Sequence, residues 1–154
     1  MKRLFVFCVL TLAIAACNKD KVESTPHLKF KSFNKNPLVD TIDQQLRATV
    51  EFTDQEGDLD SLFITRQRLN KRGPAYFNVF YDFVPQYGNQ PKGEIQLNLD
   101  IKREVTFNLN PINIPGSVPL RHEPDTILLR FYVKDKAGHT SDTAAATPLY
   151  VIRG

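Results

Sequence analysis

Hydrophobic and polar residues alternate along most of the chain from residue 27 onward. The alternation is clearest in three segments, whose apolar members are Leu46, Ala48, Val50 and Phe52, then Ile95, Leu97, Leu99 and Ile101, then Ile127, Leu129, Phe131 and Val133. A period of two points successive side chains to opposite faces of a β-strand, so each segment predicts a strand with one buried face. Weaker alternation predicts further strands near 27–33, 61–69, 76–84, 104–109 and 147–152.

Residues that favour turns separate these segments, and no stretch has the spacing of an amphipathic helix. The turn residues include Asn36-Pro37, Gly57, Gly73-Pro74, Pro115-Gly116 and Gly138. Short strands at this spacing indicate an all-β fold, an antiparallel β-sandwich of about seven to eight strands in two sheets. A chain of 154 residues has room for one such domain, which we place at 27–154.

The first 16 residues have a different character. A basic start, Met1-Lys2-Arg3, precedes an apolar run at 4–16 that only Thr11 interrupts. As a helix this run would be roughly 20 Å long, too short to cross the ~30 Å hydrocarbon core of a bilayer. Segment 1–16 therefore predicts a secretory signal peptide, because its basic, apolar and small-residue regions occur in that order.

Ile14-Ala15-Ala16-Cys17 resembles the lipobox of bacterial lipoproteins. The resemblance implies cleavage before Cys17 and attachment of lipid, including palmitate-type acyl chains, which would anchor the protein to a membrane of the cell envelope. The alternative is an ordinary secretory signal peptide followed by a chance cysteine. Cys8 and Cys17 are the only cysteines, so we expect no internal disulfide in the mature chain.

Residues 17–26 are polar and without periodicity, which predicts a lipidated cysteine followed by a flexible tether. Lys19-Asp20 resembles part of the export signal of Bacteroidota surface lipoproteins, although Lys21 stands where a second acid is usual. The resemblance implies a Bacteroidota-type lipoprotein of the outer membrane. Whether it faces the periplasm or the cell surface stays open.

Two segments of the domain resemble immunoglobulin-like and cadherin-like domains. Residues 131–142 are similar to the penultimate strand and hairpin of such domains, where an aspartate, a small residue and glycine end an alternating strand. Residues 53–60 resemble the acidic loop after an early strand. Together they imply an immunoglobulin-like sandwich, a fold that hosts many roles and does not determine function.

Carboxylates are concentrated in these two segments, and six are candidate calcium ligands: Asp54, Glu56, Asp58, Asp60, Asp135 and Asp142. An immunoglobulin-like topology brings the two segments to the same end of the sandwich. Calcium takes six to eight oxygen ligands, so carboxylates from two loops suit it in kind. The alternative is structural: Asp54 and Asp135 accept backbone hydrogen bonds, Gly57 and Gly138 adopt positive φ, and the other acids face water.

Aromatic residues crowd the segment from 76 to 87. Alternation assigns to the core one set of side chains, Phe77, Val79, Tyr81 and Phe83. It puts Tyr76 and Phe80 on the opposite face, where exposed aromatic rings would stack on a sugar or anchor a protein interface. The alternative is that these two residues pack under a neighbouring loop.

Asp-Ser/Thr-aliphatic triplets resemble the acceptor of Bacteroidota periplasmic O-glycosylation, with four acceptor residues, Thr41, Ser61, Thr126 and Thr143. The resemblance implies bulky glycans on loops. The same triplet is also typical of a strand leaving a turn, so a purely structural role is the alternative.

The remaining observations bear on activity. No catalytic motif occurs and the three histidines lack metal-ligand spacing, so we expect no enzyme. The chain has 20 basic and 17 acidic side chains, and loss of Lys2 and Arg3 would leave 18 basic ones. That near balance gives no case for nucleic-acid binding.

We therefore predict a lipid-anchored envelope protein that presents one β-sandwich for binding or adhesion to a glycan or protein ligand. The alternative is a structural accessory subunit of an envelope complex with no small-molecule ligand. An exposed apolar patch near Tyr76 and Phe80 would favour the first. A charged surface with an open strand edge would favour the second, because edges pair with partner strands.

Overall fold

The computed structural model describes residues 24–40, 45–84 and 89–154, and its regular structure is almost entirely β. The strands in chain order are β1 (His27–Phe33), β2 (Leu38–Val39), β3 (Gln45–Thr53), β4 (Leu59–Arg68), β5 (Phe77–Phe83), β6 (Lys92–Asp100), β7 (Ile112–Asn113), β8 (His122–Glu123), β9 (Asp125–Asp135), β10 (Ala144–Ala145) and β11 (Leu149–Ile152). One π-helical turn, Ile101–Val105, follows β6. The predicted all-β fold is confirmed.

The described strands form two main sheets. One has the order β1-β3-β6, and the other has the order β2-β11-β9-β4-β5, with β10 also paired to β9. Strands β7 and β8 form a separate ribbon. These pairs are antiparallel except β2 with β11, which is parallel. The order corresponds to an immunoglobulin-like sandwich, and the predicted antiparallel β-sandwich is confirmed.

The inner faces of the two sheets form one hydrophobic core. Val50 of β3, Ile95 of β6 and Phe131 of β9 are fully buried, as their places in the alternating segments predict. Phe30 of β1 stacks on Phe131 with the ring centroids 6.2 Å apart, so the ring contact joins the two sheets. Because side chains alternate across each strand, the same segments leave their polar residues on the outer faces.

The strand predicted at 104–109 is wrong, because the π-helical turn occupies its beginning. The turn is capped in both directions. Asp100 Oδ1 accepts a hydrogen bond from Arg103 N, and Glu104 Oε2 accepts one from Asp100 N, both at 2.6 Å. Reciprocal capping of this kind begins a turn regardless of the apolar alternation that follows, and a six-residue alternation is too short to separate the two outcomes.

The faces predicted for β5 are also wrong. Phe80 lies opposite the fully buried Ile64 of β4, and residues directly opposite each other share a face, so Phe80 packs against the core. Phe77 and Val79 lie on the outer face and are 61% and 47% exposed. Tyr76, expected to be exposed, is half-buried. Both faces of this edge strand carry aromatic residues, so alternation alone does not reveal which face turns inward.

Some predicted features lie outside the described residues. They are the signal peptide at 1–16, Cys17 and the tether as far as residue 23, Thr41, and the side chains of Tyr81 and Phe83. Within the described ranges, no helix has the length and apolar character needed to cross a bilayer.

Candidate functional site

Two arginines lie on the inner face of β4, where the inward positions run from Leu62 and Ile64 to Arg66 and Arg68. Arg66 is 3% exposed and Arg68 is 5% exposed. Burial of a guanidinium costs free energy unless an opposite charge or a set of hydrogen-bond acceptors offsets it. The fold offsets the two charges in different ways.

Arg68 belongs to a buried ion network. Its Nε donates to Asp125 Oδ1 at 2.8 Å, and its Nη2 donates to the Asn110 carbonyl at 3.1 Å. Arg153 Nη1 lies 3.2 Å from Asp125 Oδ2, and Arg153 Nε lies 3.1 Å from Asp40 Oδ2. Two cations and two anions therefore neutralise one another and join the end of β4 to the start of β9. This network is structural, because its charges are paired within the fold.

Arg66 has no ion-pair partner among the described residues. Its Nη1 donates to the backbone carbonyls of Arg103, at 3.0 Å, and Glu104. Its Cζ lies 4.4 Å from the ring centroid of Phe107 and 4.9 Å from that of Phe80. Aromatic faces attract a guanidinium, but neither they nor the carbonyls carry a net negative charge. The positive charge of Arg66 is therefore buried without a carboxylate in contact with it among the described residues, and the charge of Glu104 offsets it only in part.

Tyr76 covers another side of this guanidinium. Its ring stacks on Phe107 with the centroids 5.5 Å apart, and its centroid lies 5.9 Å from Arg66 Cζ. Tyr76 Oη and Arg66 Nε are both buried without a hydrogen-bond partner of good geometry in the described part of the chain. Burial lowers the pKa of Arg66, and nearby Tyr76 and Glu104 act in the opposite direction. A guanidinium still remains charged at neutral pH.

The backbone beside Arg66 is held in an unfavourable conformation. Phe107 and Asn108 both have φ of 51°, in the left-handed region. This region costs a non-glycine residue about 1–2 kcal/mol, and asparagine tolerates it better than phenylalanine does. Phe107 is nevertheless 46% exposed, with its ring over Arg66. Left-handed residues commonly end helical turns, and here the Asn108 N–H donates to the Lys102 carbonyl at 2.8 Å while the same backbone positions the ring of Phe107.

A cavity of about 380 Å³ opens beside these residues and is lined by Arg66, Phe80, Arg103, Glu104, Phe107 and Asn108. Arg66 is buried at its base, whereas Arg103, Phe107 and Asn108 are exposed at its rim. The volume lies within the range of about 300–1,000 Å³ that is common for small-ligand sites. Two arginines and one glutamate give the lining a net positive charge.

The sequence analysis selected Tyr76 and Phe80 but missed Arg66 and Phe107. The alternation of β4 does indicate Arg66, because Arg66 occupies the next inward position of the strand, two residues after Ile64. Phe107 had no such signal. Its position depends on the π-helical turn and on two residues with positive φ, neither of which a hydrophobic pattern reveals.

The acidic cluster lies at the loops between β3 and β4 and between β9 and β10. One carboxylate oxygen from each of Asp54, Asp58 and Asp135 lies within 4.8 Å of the other two. The topology thus brings the two loops together, as the immunoglobulin-like resemblance implied. Calcium binds oxygen at about 2.3–2.6 Å, so oxygens with this separation are able to contact one ion.

The structural roles predicted for Asp54, Asp135 and the two glycines are confirmed, whereas Asp58, expected to face water, is half-buried. Asp54 Oδ2 accepts a hydrogen bond from the backbone N–H four residues later at 3.0 Å. Asp135 Oδ1 accepts one from His139 N at 2.7 Å, and Asp135 Oδ2 lies 2.7 Å from His139 Nδ1. Gly57 and Gly138 have φ of 63° and 92°. The turns therefore use these carboxylates whether or not an ion is bound.

These hydrogen bonds do not satisfy the whole cluster. Asp54 Oδ1 and Asp58 Oδ1 are buried without a hydrogen-bond partner in the described ranges. Burial raises the pKa of Asp54 above 3.8, and the negative charges of Asp58, Glu56 and Asp135 raise it further. A hydrogen bond from the Asp58 backbone opposes this rise. The carboxylates of the cluster thus repel one another, and a bound cation would relieve that repulsion.

The other three predicted calcium ligands do not join the cluster. Glu56 is exposed. Asp60 is exposed and accepts a hydrogen bond from Ser61 Oγ at 2.6 Å. Asp142 accepts one from Leu28 N at 2.9 Å, which ties it to the first strand. Three of the six predicted ligands, Asp54, Asp58 and Asp135, are thus brought together, and a site that includes the other three stays a prediction.

The described glycosylation candidates differ in their setting. Thr143 is exposed and lies outside the strands. Ser61 lies within β4, and Thr126 lies within β9 opposite Tyr150 of β11. The expectation that these sites lie on loops is wrong for Ser61 and Thr126, because each of these triplets enters a strand directly.

No family model matches the chain, and no curated protein matches it. A solved β-glucosidase from Kluyveromyces marxianus is 15% identical with a TM-score of 0.41, over 85% of this chain and 15% of that one. A β-glucosidase from Listeria innocua in complex with gluconolactone is 14% identical with a TM-score of 0.44, over 86% of this chain and 17% of that one. The chain thus spans less than a fifth of either protein. Likeness at this level carries no argument about activity.

Proposed function

We propose that this chain is a lipid-anchored protein of the bacterial cell envelope whose β-sandwich binds a glycan or protein ligand. The observation that carries the proposal is the cavity at Arg66, with its buried cation, aromatic walls and exposed rim. Binding sites typically combine apolar walls with a few polar groups in fixed positions. The left-handed backbone of Phe107, which follows the π-helical turn, also places its ring against Tyr76 and over Arg66.

A binding panel of envelope and extracellular glycans and envelope proteins tests this proposal. Phe107→Ala removes a wall of the cavity, and Phe77→Ala is the matched control because it removes an exposed aromatic ring from the outer face of β5, in the sheet that carries Arg66. We expect Phe107→Ala to weaken binding and Phe77→Ala to leave it unchanged. Loss of binding in Phe77→Ala alone would show that the ligand binds the outer face of the sheet and not the cavity. Binding that neither substitution weakens would contradict both locations.

The membrane anchor needs its own test. We expect wild-type protein to fractionate with envelopes from its host and Cys17→Ser to be released, because the serine hydroxyl does not accept the lipid. Intact mass of the wild-type protein should exceed the mass of chain 17–154 by that of the attached acyl groups. Equal membrane retention of the two proteins would contradict the anchor.

We also infer that Asp54, Asp58 and Asp135 bind calcium and so fix the loops at one end of the sandwich. The buried oxygens without partners and the mutual repulsion of the carboxylates support this inference. Thermal unfolding with millimolar calcium and with a chelator tests it. An unchanged midpoint would show that the cluster serves the turns alone.

One observation favours the second candidate, a structural accessory subunit. Strand β5 ends the order of its sheet, and no described strand pairs with its outer edge. Exposed edges are able to accept a partner strand. Cross-linking in intact cells from a residue substituted at Val79 should trap an envelope protein if this edge is occupied.

A further inference from the structure

The guanidinium in the cavity has no carboxylate in contact with it among the described residues, although Glu104 lines the same cavity. Arg68, two residues along the same face of β4, pairs with Asp125, whereas Arg66 meets only carbonyl oxygens and aromatic rings. Carbonyl dipoles offset only part of the cost of removing a full charge from water. A carboxylate bound in the cavity would supply the missing negative charge, and arginine offers N–H groups in a planar array that suits a carboxylate.

The aromatic wall defines what must accompany that carboxylate. The ring of Phe107 is half-exposed and lies over the guanidinium, so one ligand is able to contact both groups at once. A ligand with a carboxylate attached directly to a ring carbon is able to place the carboxylate at Arg66 and the ring against Phe107. Pyranose rings present C–H groups on their faces, which pack against aromatic rings in the same way as other apolar surfaces.

The residues around the opening favour a sugar acid over a carboxylic acid without hydroxyl groups. Arg103, Glu104 and Asn108 supply both donors and acceptors of hydrogen bonds around the opening. The hydroxyl groups of a sugar would pair with them, whereas a purely hydrocarbon acid would make no hydrogen bond with them and leave them to water. With two arginines and one glutamate the lining carries one net positive charge, which balances a single carboxylate better than a dianionic phosphate.

We propose that this cavity binds a uronic-acid residue of an acidic polysaccharide, with its carboxylate at Arg66 and its ring against Phe107. The inference rests on the proposed binding function and specifies its ligand class. Arg66 determines the preference for acid, and Phe107 determines the preference for a ring. Neutral glycans of the same size lack the group that compensates the buried charge.

Isothermal titration of the full-length protein in detergent with a trimer of galacturonic acid tests the proposal. The fully methyl-esterified trimer is the matched ligand control, because it keeps the rings and removes the charges. We expect the ester to bind at least about tenfold more weakly, the affinity equivalent of one charge-assisted hydrogen bond. Arg66→Met should weaken binding of the acid to a similar degree. Arg47→Met, an exposed arginine on the other sheet, should leave it unchanged.

The outcomes separate this inference from the proposed function. Equal affinity for acid and ester, or no binding of the acid by folded wild-type protein, overturns the uronic-acid inference. Binding of a neutral glycan or protein that Phe107→Ala abolishes would still support the proposed function. A loss of acid binding in Arg47→Met equal to that in Arg66→Met would show attraction to surface charge and would also overturn the inference. Far-ultraviolet circular dichroism of each variant confirms that it is folded.

Discussion

Arg66 and Arg68 are separated by one residue, point to the same side of β4 and are almost equally buried. The charge of Arg68 is balanced within a network of Asp125, Arg153 and Asp40, which are distant from it in sequence. Arg66 instead contacts aromatic rings and carbonyl oxygens and lines a cavity. Burial alone therefore does not indicate the role of a charged residue. Whether the fold supplies its counter-charge separates a structural arginine from a candidate binding residue.

The largest change in the free energy of unfolding is expected in the buried ion network around Arg68. Asp125→Ala would leave Arg68 and Arg153 buried without their shared carboxylate, and removing one partner of a buried ion pair costs about 3–5 kcal/mol. Denaturant unfolding of the variant measures this loss of free energy. Combining Asp125→Leu with Arg68→Met should restore part of the stability, because both charges are then removed. A single variant as stable as wild type would show that the network contributes nothing.

Calcium should produce the next largest change. At a free concentration of 100 times its Kd, calcium is expected to raise the free energy of unfolding by about 2.7 kcal/mol. Asp54→Asn should abolish this gain, since it removes a charged ligand while an amide oxygen still accepts the turn hydrogen bond. Asp60→Asn, outside the cluster, is the control and should keep the full gain. Equal gains in both variants would exclude Asp54 as a ligand.

A smaller effect concerns pH in the absence of calcium. The pKa of Asp54 is raised, so the folded chain binds this proton more tightly than the unfolded chain does. The contribution of Asp54 to stability is therefore highest at low pH and is lost as pH rises from 3.8 through the raised pKa. The free energy of unfolding of wild type minus that of Asp54→Asn should fall across this range. A difference that stays constant or rises would contradict the raised pKa.

The smallest effect is expected at an exposed ion pair. Lys31 lies near Glu94 and Glu51 on the outer face of the three-stranded sheet, and its hydrogen bond to Glu94 raises the pKa of Lys31. Water screens such pairs, and many contribute nothing measurable to stability. Thermal unfolding of Lys31→Ala should therefore give the midpoint of wild type. A clear decrease would mean that surface charge is more important in this protein than burial implies.

The sequence predicted the strands with one apolar face, because the hydrophobic effect acts directly on the period of two. Val50, Ile95 and Phe131 are buried as expected. It did not predict the inward face of β5, where both faces are aromatic and only pairing with β4 decides. It also placed a strand at 104–109, where the capping interactions of Asp100 and Glu104 begin a turn instead.

The candidate sites were predicted only in part. Loop topology brought Asp54, Asp58 and Asp135 together, whereas Glu56, Asp60 and Asp142 lie outside that group of three. Tyr76 and Phe80 were selected for exposure, whereas they lie half-buried around Arg66. Such sites depend on contacts between residues that are distant in sequence, and a local hydrophobic pattern does not predict those contacts.

The most direct test compares the free energy of unfolding of Arg66→Met and Arg68→Met without added ligand. We expect Arg68→Met to lose about 3–5 kcal/mol of unfolding free energy, because the buried carboxylate of Asp125 then lacks one of its cationic partners. Arg66→Met should lose less, about 1–3 kcal/mol, because it takes the donor from two backbone carbonyls but leaves no buried carboxylate without its partner. A loss at Arg66 as large as that at Arg68 would show that both arginines are structural, contradicting the binding role of Arg66.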